Sequence, residues 1–321
     1  MTKVQTVALL GGPGSGKTTW LGAMANLIDQ ELLPQITKSR LAADIRALDT
    51  FIEPLLEGKY PQRTPSDHRA PISLHLSATQ EGGEKSPFTL LVEDFAGEDM
   101  ERVFSDRLWP EAWRRWSESA NGVMLFVRPS ELVTLPAIPL PIKSPFDGLR
   151  RPSPRPARLG PPDPASAFDA DFVPEAPETP QADPDEPQRV PTTLALIELL
   201  QLLRAQRGVA TGVRRDHGLR VAVVVTAWDA VDGYRTPNEW LAQNAPILED
   251  YLWSNFAPED VMRFGLSSTG VNLEEKGNAQ RYEDDPRGFV VWADLGQPRR
   301  VEDIGLPMRW ALFGAPALTT G

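Results

Sequence analysis

Residues 11 to 18 read Gly-Gly-Pro-Gly-Ser-Gly-Lys-Thr, and this stretch decides the fold of the chain. It matches the pattern G-x-x-x-x-G-K-[ST], in which glycines let backbone N–H groups close around phosphate oxygens. Lys17 adds a cation for the β- and γ-phosphates, and the Thr18 hydroxyl is suited to ligate Mg²⁺. An apolar, β-prone stretch at 4–10 precedes the motif and a helical pattern at 18–32 follows it, as the motif requires. Residues 11–18, hereafter the P-loop, are therefore predicted to bind phosphate.

Composition excludes several classes of protein. The chain has 321 residues, of which 41% are hydrophobic, so it has enough apolar side chains to bury a core. The sequence has no run near the ~20 apolar residues of a membrane helix, and no signal-peptide pattern at its start. With no cysteines it has neither disulfides nor thiolate metal ligands, which fits a cytoplasmic protein. The net charge of -11 argues against binding to nucleic acids or membrane surfaces, because both are polyanions.

One segment differs from the rest of the chain. Residues 136–191 hold half of the 32 prolines and few large apolar side chains, which predicts a disordered or extended insert. A proline-rich docking strip, centred on residues 151–156, is the functional alternative. Neither flank carries a complete sheet, so residues 1–135 and 192–321 are predicted to form a single domain that this insert interrupts.

The two flanks of the insert alternate between strand and helix patterns. Strands are predicted at 4–10, 72–78, 88–93, 122–127, 220–225 and 261–266. Helices are predicted at 18–32, 39–57, 98–118, 193–207 and 237–254, with a polar, turn-rich piece at 271–298 and a closing helix near 306–314. This alternation predicts an α/β P-loop NTPase fold, a three-layer sandwich with a mostly parallel central sheet and helices on both faces.

Two short motifs follow predicted strands. Asp94-Phe95-Ala96-Gly97 is a D-x-x-G sequence, in which Asp94 is suited to hold Mg²⁺ and the Gly97 N–H to reach a γ-phosphate. A helix-capping role for Asp94 is the alternative. Thr226-Ala227-Trp228-Asp229 stands where guanine-binding proteins have N-K-x-D, with Asp229 accepting two N–H groups of the base. Ala227 replaces lysine there, so the alkyl packing over the base is lost or supplied elsewhere.

A third loop and a tryptophan series complete the pattern. Ser267 and Ser268, after the strand at 261–266, are suited to present backbone N–H groups to the guanine carbonyl. Trp109, Trp113 and Trp116 recur at helical spacing, which favours core packing, with a partner-binding face as the second interpretation.

The motifs GGPGSGKT, DFAG, TAWD and SST, in this order, resemble the signature of P-loop GTPases over about residues 1–270. Within that class the chain resembles bacterial double-GTPase-like proteins of conflict and other multi-gene systems. The features that carry this resemblance are the GKTTWL opening, residues 58–64, the D-x-x-G-E at 94–98 and a P-x-x-W near the end. The resemblance implies a switch that binds GTP or GDP with Mg²⁺, hydrolyses GTP and signals to an effector or activating protein.

The resemblance also implies roles for individual residues. Thr64, with Ser66 in reserve, would close over Mg²⁺ and the γ-phosphate, and Glu98 would orient the attacking water unless it only begins a helix. Arg102, Arg107 or a partner would supply a catalytic arginine, without which turnover is slow. The predicted nucleotide contacts are Gly11, Gly12, Pro13, Gly14, Ser15, Gly16, Lys17, Thr18, Thr19, Gly97, Thr226, Asp229, Ser267 and Ser268, with Thr18, Thr64 and Asp94 at the metal.

The sequence is also compatible with three other functions. GGPGSGKT also resembles the P-loop of adenylate-kinase-like enzymes, although the insert lacks the glycine-hinged arginine lid that a nucleotide kinase needs. A nucleotide-binding adaptor that does not hydrolyse, and an ATPase, are the remaining alternatives, because TAWD is an imperfect guanine motif.

Overall fold

A computed structural model describes most of the chain outside the proline-rich segment. The described residues are 5–38, 45–61, 72–80, 83–92, 103, 109, 113–114, 117–118, 120–132, 191–209 and 218–314. Their strands are β1 Gln5–Leu10, β2 Ile36–Lys38, β3 Ile72–Thr79, β4 Lys85–Val92, β5 Gly122–Val127, β6 Arg220–Thr226, β7 Val261–Ser267, β8 Phe289–Asp294 and β9 Gln297–Val301. Their longer helices are α1 Lys17–Asp29, α2 Ile45–Leu56, α3 Thr192–Gln206, α4 Pro237–Asn244, α5 Pro246–Asn255, α6 Asn278–Asp284 and α7 Leu306–Phe313.

The strands form one sheet in the order β2-β3-β4-β1-β5-β6-β7-β8-β9. Its five central strands, from β4 to β7, are parallel, and the pairs at both edges are antiparallel. Parallel strands end at the same edge of a sheet, where ligands bind in open α/β folds. The carboxyl ends of β1, β5, β6 and β7 therefore share one edge, and the predicted fold class is confirmed.

Both faces of the central strands are buried. Alternate side chains of β6 enter opposite clusters: Val221, Val223 and Val225 pack on one face, and Ala222 and Val224 pack on the other. Strands covered on both faces read as continuous apolar runs, which explains the VAVVV sequence of β6. The expected core role is also confirmed for Trp109 and Trp113, since both are buried in the same cluster as Val223, whereas Trp116 lies outside the described residues.

Helix α1 is fixed firmly beneath the P-loop. The Trp20 ring packs against Phe126 of β5 at a centroid distance of 5.8 Å, and its Nε1 donates to the Ile304 carbonyl at 2.8 Å. Gly22 allows close approach of α2, because a Cβ at this position would lie 2.7 Å from the Phe51 carbonyl oxygen. The helix N-terminus, which follows the loop directly, is thus held in a defined direction.

Two parts of the predicted element pattern are wrong. The helix expected at 237–254 is two helices, α4 and α5, because Pro246 has no N–H to donate and starts a new helix. The piece expected to be turns at 271–298 contains α6, β8 and the start of β9. The helix predicted at 98–118 lies mostly outside the described residues.

A tight turn joins β8 and β9. Asp294 pairs with Gln297, which leaves Leu295 and Gly296 as a two-residue loop with positive φ angles of 48° and 78°. This is the backbone of a type I′ turn, in which asparagine is favoured at the first position. This chain has leucine there, a residue that rarely adopts a positive φ. Its side chain is 99% exposed, so it does not contribute to the core.

We therefore predict that Leu295→Asn raises the free energy of unfolding by roughly 0.5–1 kcal/mol, because asparagine tolerates the left-handed region better than leucine. Leu295→Ala is the matched control, since it removes the exposed side chain without adding this backbone preference. Chemical denaturation of the three chains measures the difference. Equal stability of Leu295→Asn and Leu295→Ala would contradict the prediction.

The residues that flank 133–190 on its two sides are in direct contact with each other. The Thr192 hydroxyl, at the start of α3, donates to the Glu131 carbonyl after β5 at 2.7 Å. The described residues before and after this segment belong to the same compact unit, which comprises residues 1–134 and 190–321. Residues 136–191, except Pro191, lie outside the described residues, so the disorder expected there stays a prediction.

Among the described helices, none is long and apolar enough to cross a membrane.

Candidate nucleotide-binding site

The P-loop connects β1 to α1 with a backbone that its glycines allow. Gly14 and Gly16 have φ angles of 69° and 92°, in the left-handed region that favours glycine. At Gly11 a Cβ would lie 2.7 Å from the Phe126 carbonyl oxygen and 2.8 Å from Ser15 Oγ. The glycines at these positions therefore satisfy both conformation and close packing against β5.

Lys17 folds back into the loop that precedes it. Its side chain is only 5% exposed, and its Nζ donates to the carbonyls of Gly11 at 2.7 Å and Gly12 at 3.0 Å. Ser15 Oγ is a further acceptor at 3.3 Å. An ammonium group in the concavity of the loop, beside the N-terminus of α1, supplies the positive field that phosphate oxygens require.

Thr226, at the end of β6, contacts the P-loop itself. Its hydroxyl donates to the Ser15 carbonyl at 2.9 Å, and the side chain is 4% exposed. A Cβ on Gly16 would lie 3.2 Å from the Thr226 side chain, so the loop and β6 are in close contact there. Thr226 thus links the predicted base motif to the phosphate motif, and its direct contact with the base stays a prediction.

Asp229 lies on the same edge of the sheet with its side chain exposed. It belongs to a short 3₁₀ turn, Trp228–Ala230, that follows Ala227, whose φ of 51° is left-handed. The Trp228 ring is buried against Gly265 of β7, where a Cβ would lie 2.3 Å from the indole. Trp228 is therefore a packing residue that anchors the turn carrying Asp229.

The loop after β7 lies next to this turn in the sheet order. Ser267 is fully buried, and its Oγ has no hydrogen-bond partner among the described residues. Ser268 is half-buried, and the carbonyl oxygens of both serines pack so closely on Gly288 that a Cβ there would approach within 2.2 Å and 2.5 Å. These carbonyl groups therefore pack against the backbone just before β8, and contact of the Ser267 and Ser268 N–H groups with the base stays a prediction.

Tyr60 was not predicted as a site residue, yet it packs against this loop. Its hydroxyl accepts from the Leu273 N–H at 3.2 Å and donates to Asn272 Oδ1 at 3.4 Å. Burial raises the pKa of Tyr60, and the hydrogen bonds from Leu273 and Thr269 oppose this increase. The charge of Asp229 raises the pKa further, whereas that of Arg128 lowers it. Tyr60 is therefore neutral at physiological pH and close enough to feel both charges.

Arg128, which follows β5 directly, was also missed. Its Nη1 donates to the Gly14 carbonyl at 3.3 Å, so it contacts the P-loop from the adjacent strand. A charged residue immediately after a buried parallel strand was the available signal, but sequence alone did not indicate which way the side chain would turn.

Several predicted site residues are not among those that the structure describes. Asp94, Gly97, Glu98, Thr64 and Ser66 lie outside the described residues, as do Arg102 and Arg107. The nearest described residue to the D-x-x-G motif is Val92, which pairs with Leu9 of β1. Their roles at the metal and the γ-phosphate stay predictions.

Comparison with known proteins identifies the family. A family model described as Double-GTPase 1 matches residues 8–311. Curated proteins gave no match to the chain. Among solved structures, the Arl6 (BBS3) small GTPase of Trypanosoma brucei with bound GppNp is similar over 88% of this chain and 98% of that chain, at 11% identity and a TM-score of 0.33. Because the family match spans most of the sequence, from β1 to α7, the chain belongs to the Double-GTPase 1 family of P-loop GTPases.

Proposed function

We propose that the chain is a molecular switch that binds GTP, hydrolyses it slowly and signals its nucleotide state to a partner protein. The observation that carries this proposal is the hydrogen bond from Thr226 to the Ser15 carbonyl, which joins the P-loop to the turn bearing Asp229. This bond holds the P-loop and the turn bearing Asp229 next to each other on one edge of the sheet. We further propose that the switch works in the cytoplasm, in a bacterial multi-gene system of the conflict or defence type.

The residues present are chemically suited to Mg²⁺. The Thr18 hydroxyl stands in the first turn of α1, and Asp94 follows β4, which is paired with β1. Hydroxyl and carboxylate oxygens are ligands that Mg²⁺ prefers, usually together with waters and phosphates. Bound there, Mg²⁺ would neutralise charge on the β- and γ-phosphates.

The remaining steps depend on side chains of this chain. Lys17 would exchange its carbonyl acceptors for phosphate oxygens, and Gly97 would sense the γ-phosphate through its N–H. Thr64 would close over the same phosphate, and Glu98 would orient the attacking water. Asp229 would accept the two N–H groups of guanine. Slow turnover is expected unless a partner, Arg102 or Arg107 supplies a positive charge to the transition state.

Asp229→Asn tests the choice of base. We expect this variant to bind GTP about 100-fold more weakly, because a carboxylate that accepts two hydrogen bonds becomes an amide that also donates. Affinity for XTP should rise, since xanthine presents an oxygen where guanine has its amino group. Fluorescence titrations with GTP, ATP and XTP analogues measure both changes.

Asp232→Asn, at an exposed acid three residues further on, is the matched control and should retain the wild-type preference for GTP. Equal affinity of the wild-type chain for ATP and GTP would instead favour an ATPase. Phosphate release from GTP, measured with and without AMP, separates hydrolysis from nucleotide kinase activity. Tight binding without phosphate release would favour an adaptor.

A further inference from the structure

The turn that bears Asp229 lacks the cation of the guanine motif. In N-K-x-D the lysine packs its alkyl chain over the base, and this chain has Ala227 at that position. The alanine is half-buried and follows β6 with a left-handed backbone, so its methyl group offers neither charge nor cover. If a nucleotide binds between the P-loop and Asp229, another residue has to supply the positive charge and the apolar cover for the base.

Arg128 reaches the same place from the neighbouring strand. β5 and β6 are parallel with Val127 opposite Val225, so Arg128 follows its strand at the level of Thr226. β5 also lies between β1, which leads into the P-loop, and β6, which leads into the Asp229 turn. The side chain is thus attached midway between the two halves of the site.

The hydrogen bonding of Arg128 also supports a role at the P-loop. Its Nη1 donates to the carbonyl of Gly14, in the middle of the P-loop, at 3.3 Å. Its Nε is buried and has no acceptor among the described residues. The guanidinium is therefore held at the loop with donor capacity left over.

The charges of this guanidinium and of Asp229 both act on Tyr60. The Tyr60 hydroxyl, held by Leu273, is close enough to both for the two charges to act on its pKa in opposite directions. Both charges thus act on one hydroxyl, and Arg128 is in addition in contact with the P-loop.

We propose that Arg128 takes over, from β5, the role that lysine has in N-K-x-D: its alkyl stem covers the nucleoside, and its guanidinium braces the P-loop through Gly14. Arginine suits this role because its planar, always charged head group stacks on aromatic rings and donates several hydrogen bonds. This inference rests on the proposed binding of guanine nucleotides.

A charge-relocation experiment tests the proposal. Arg128→Ala is expected to weaken binding of GDP and GTP by the same factor, about tenfold or more. The factor is the same because Arg128 would contact the nucleoside, which GDP and GTP have in common, and not the γ-phosphate. Adding Ala227→Lys to Arg128→Ala should restore affinity to within about threefold of the wild type. Residue 227 already has its left-handed backbone with alanine, and lysine adds no branching at Cβ.

Arg220→Ala is the matched control. Arg220 is also half-buried and also donates to a carbonyl, that of Leu312 at 2.6 Å, but it stands at the amino end of β6, away from the site. Its loss should lower the melting temperature without changing nucleotide affinity. Titration with fluorescent GDP and GTP, together with thermal melts, covers the wild type and all variants.

The outcomes are distinct. Unchanged affinity in Arg128→Ala, an equal loss of affinity in Arg220→Ala, or no recovery in the double variant would each overturn the role of Arg128. If the wild-type chain binds neither GDP nor GTP, the proposed function fails, and the inference about Arg128 fails with it.

Discussion

Replacing Lys17 with alanine is expected to weaken the binding of GDP and GTP at least about 100-fold and to abolish measurable GTP turnover. The Lys17 Nζ lies inside the P-loop, within hydrogen-bond distance of the Gly11 and Gly12 carbonyls. Without this ammonium group, the loop would present those carbonyl oxygens to the phosphates with no cation to offset them. Fluorescence titration and phosphate-release assays measure the two losses.

The control is Lys38→Ala. Lys38 lies on the edge strand β2, where it pairs with Asp29 on the surface, so its loss removes the same side chain far from the P-loop. Nucleotide affinity should be unaffected, and thermal melts would establish that both variants are folded. Wild-type affinity in a folded Lys17→Ala chain would show that the P-loop is not the nucleotide site.

Gly16→Ala is expected to displace the P-loop and weaken GTP binding. Gly16 has a φ of 92°, and a Cβ there would lie 3.2 Å from the Thr226 side chain. Alanine would therefore add roughly 1–2 kcal/mol of backbone strain and push the loop away from β6. We expect GTP affinity to fall about tenfold or more, because the bond between Thr226 and Ser15 positions the loop.

Gly83→Ala is the control that distinguishes backbone strain in general from displacement of the P-loop. Gly83 has a similar φ of 85°, with no atom within 4 Å of the Cβ position, and it lies in the turn between β3 and β4. This variant should lose stability by about 1 kcal/mol yet bind GTP as the wild type does. If titration finds the same loss of affinity in both variants, the effect at Gly16 is general destabilisation and not displacement of the loop.

The central fold could be predicted because its signals are local. β1, the P-loop and α1 follow one another in the sequence, and each has a pattern that elementary backbone chemistry explains. The buried strand β6 was equally clear from its β-branched residues. Pro246 is also a local signal, because proline lacks the N–H that a continuous helix needs at this position, and it marks the boundary between α4 and α5.

The hairpin of β8 and β9 was harder to predict. The run Phe289-Val290-Val291-Trp292 is strongly β-prone, but polar and turn-forming residues surround it, and the turn itself has leucine where asparagine or glycine would be the usual signal. A strand at this position becomes evident only through its antiparallel pairing with β7.

Each predicted part of the site is a short motif whose own residues are close in sequence. Ala227 indicated that a lysine was missing, but no sequence pattern indicated that Arg128, about 100 positions earlier, reaches the same loop. Tyr60 likewise meets Leu273 across more than 200 positions. Contacts of this kind depend on strand order and register, and a single sequence does not encode either in a short motif.

The hydrogen bond between Thr192 and Glu131 has an evolutionary consequence. The chain leaves the compact unit after β5 and returns to it at α3, and this hydrogen bond joins the two points directly. Lengthening such a connection costs little, because the closure entropy grows only with the logarithm of its length. Insertions of different length and sequence can therefore replace one another at this junction during evolution, while the P-loop and the strands around it are retained.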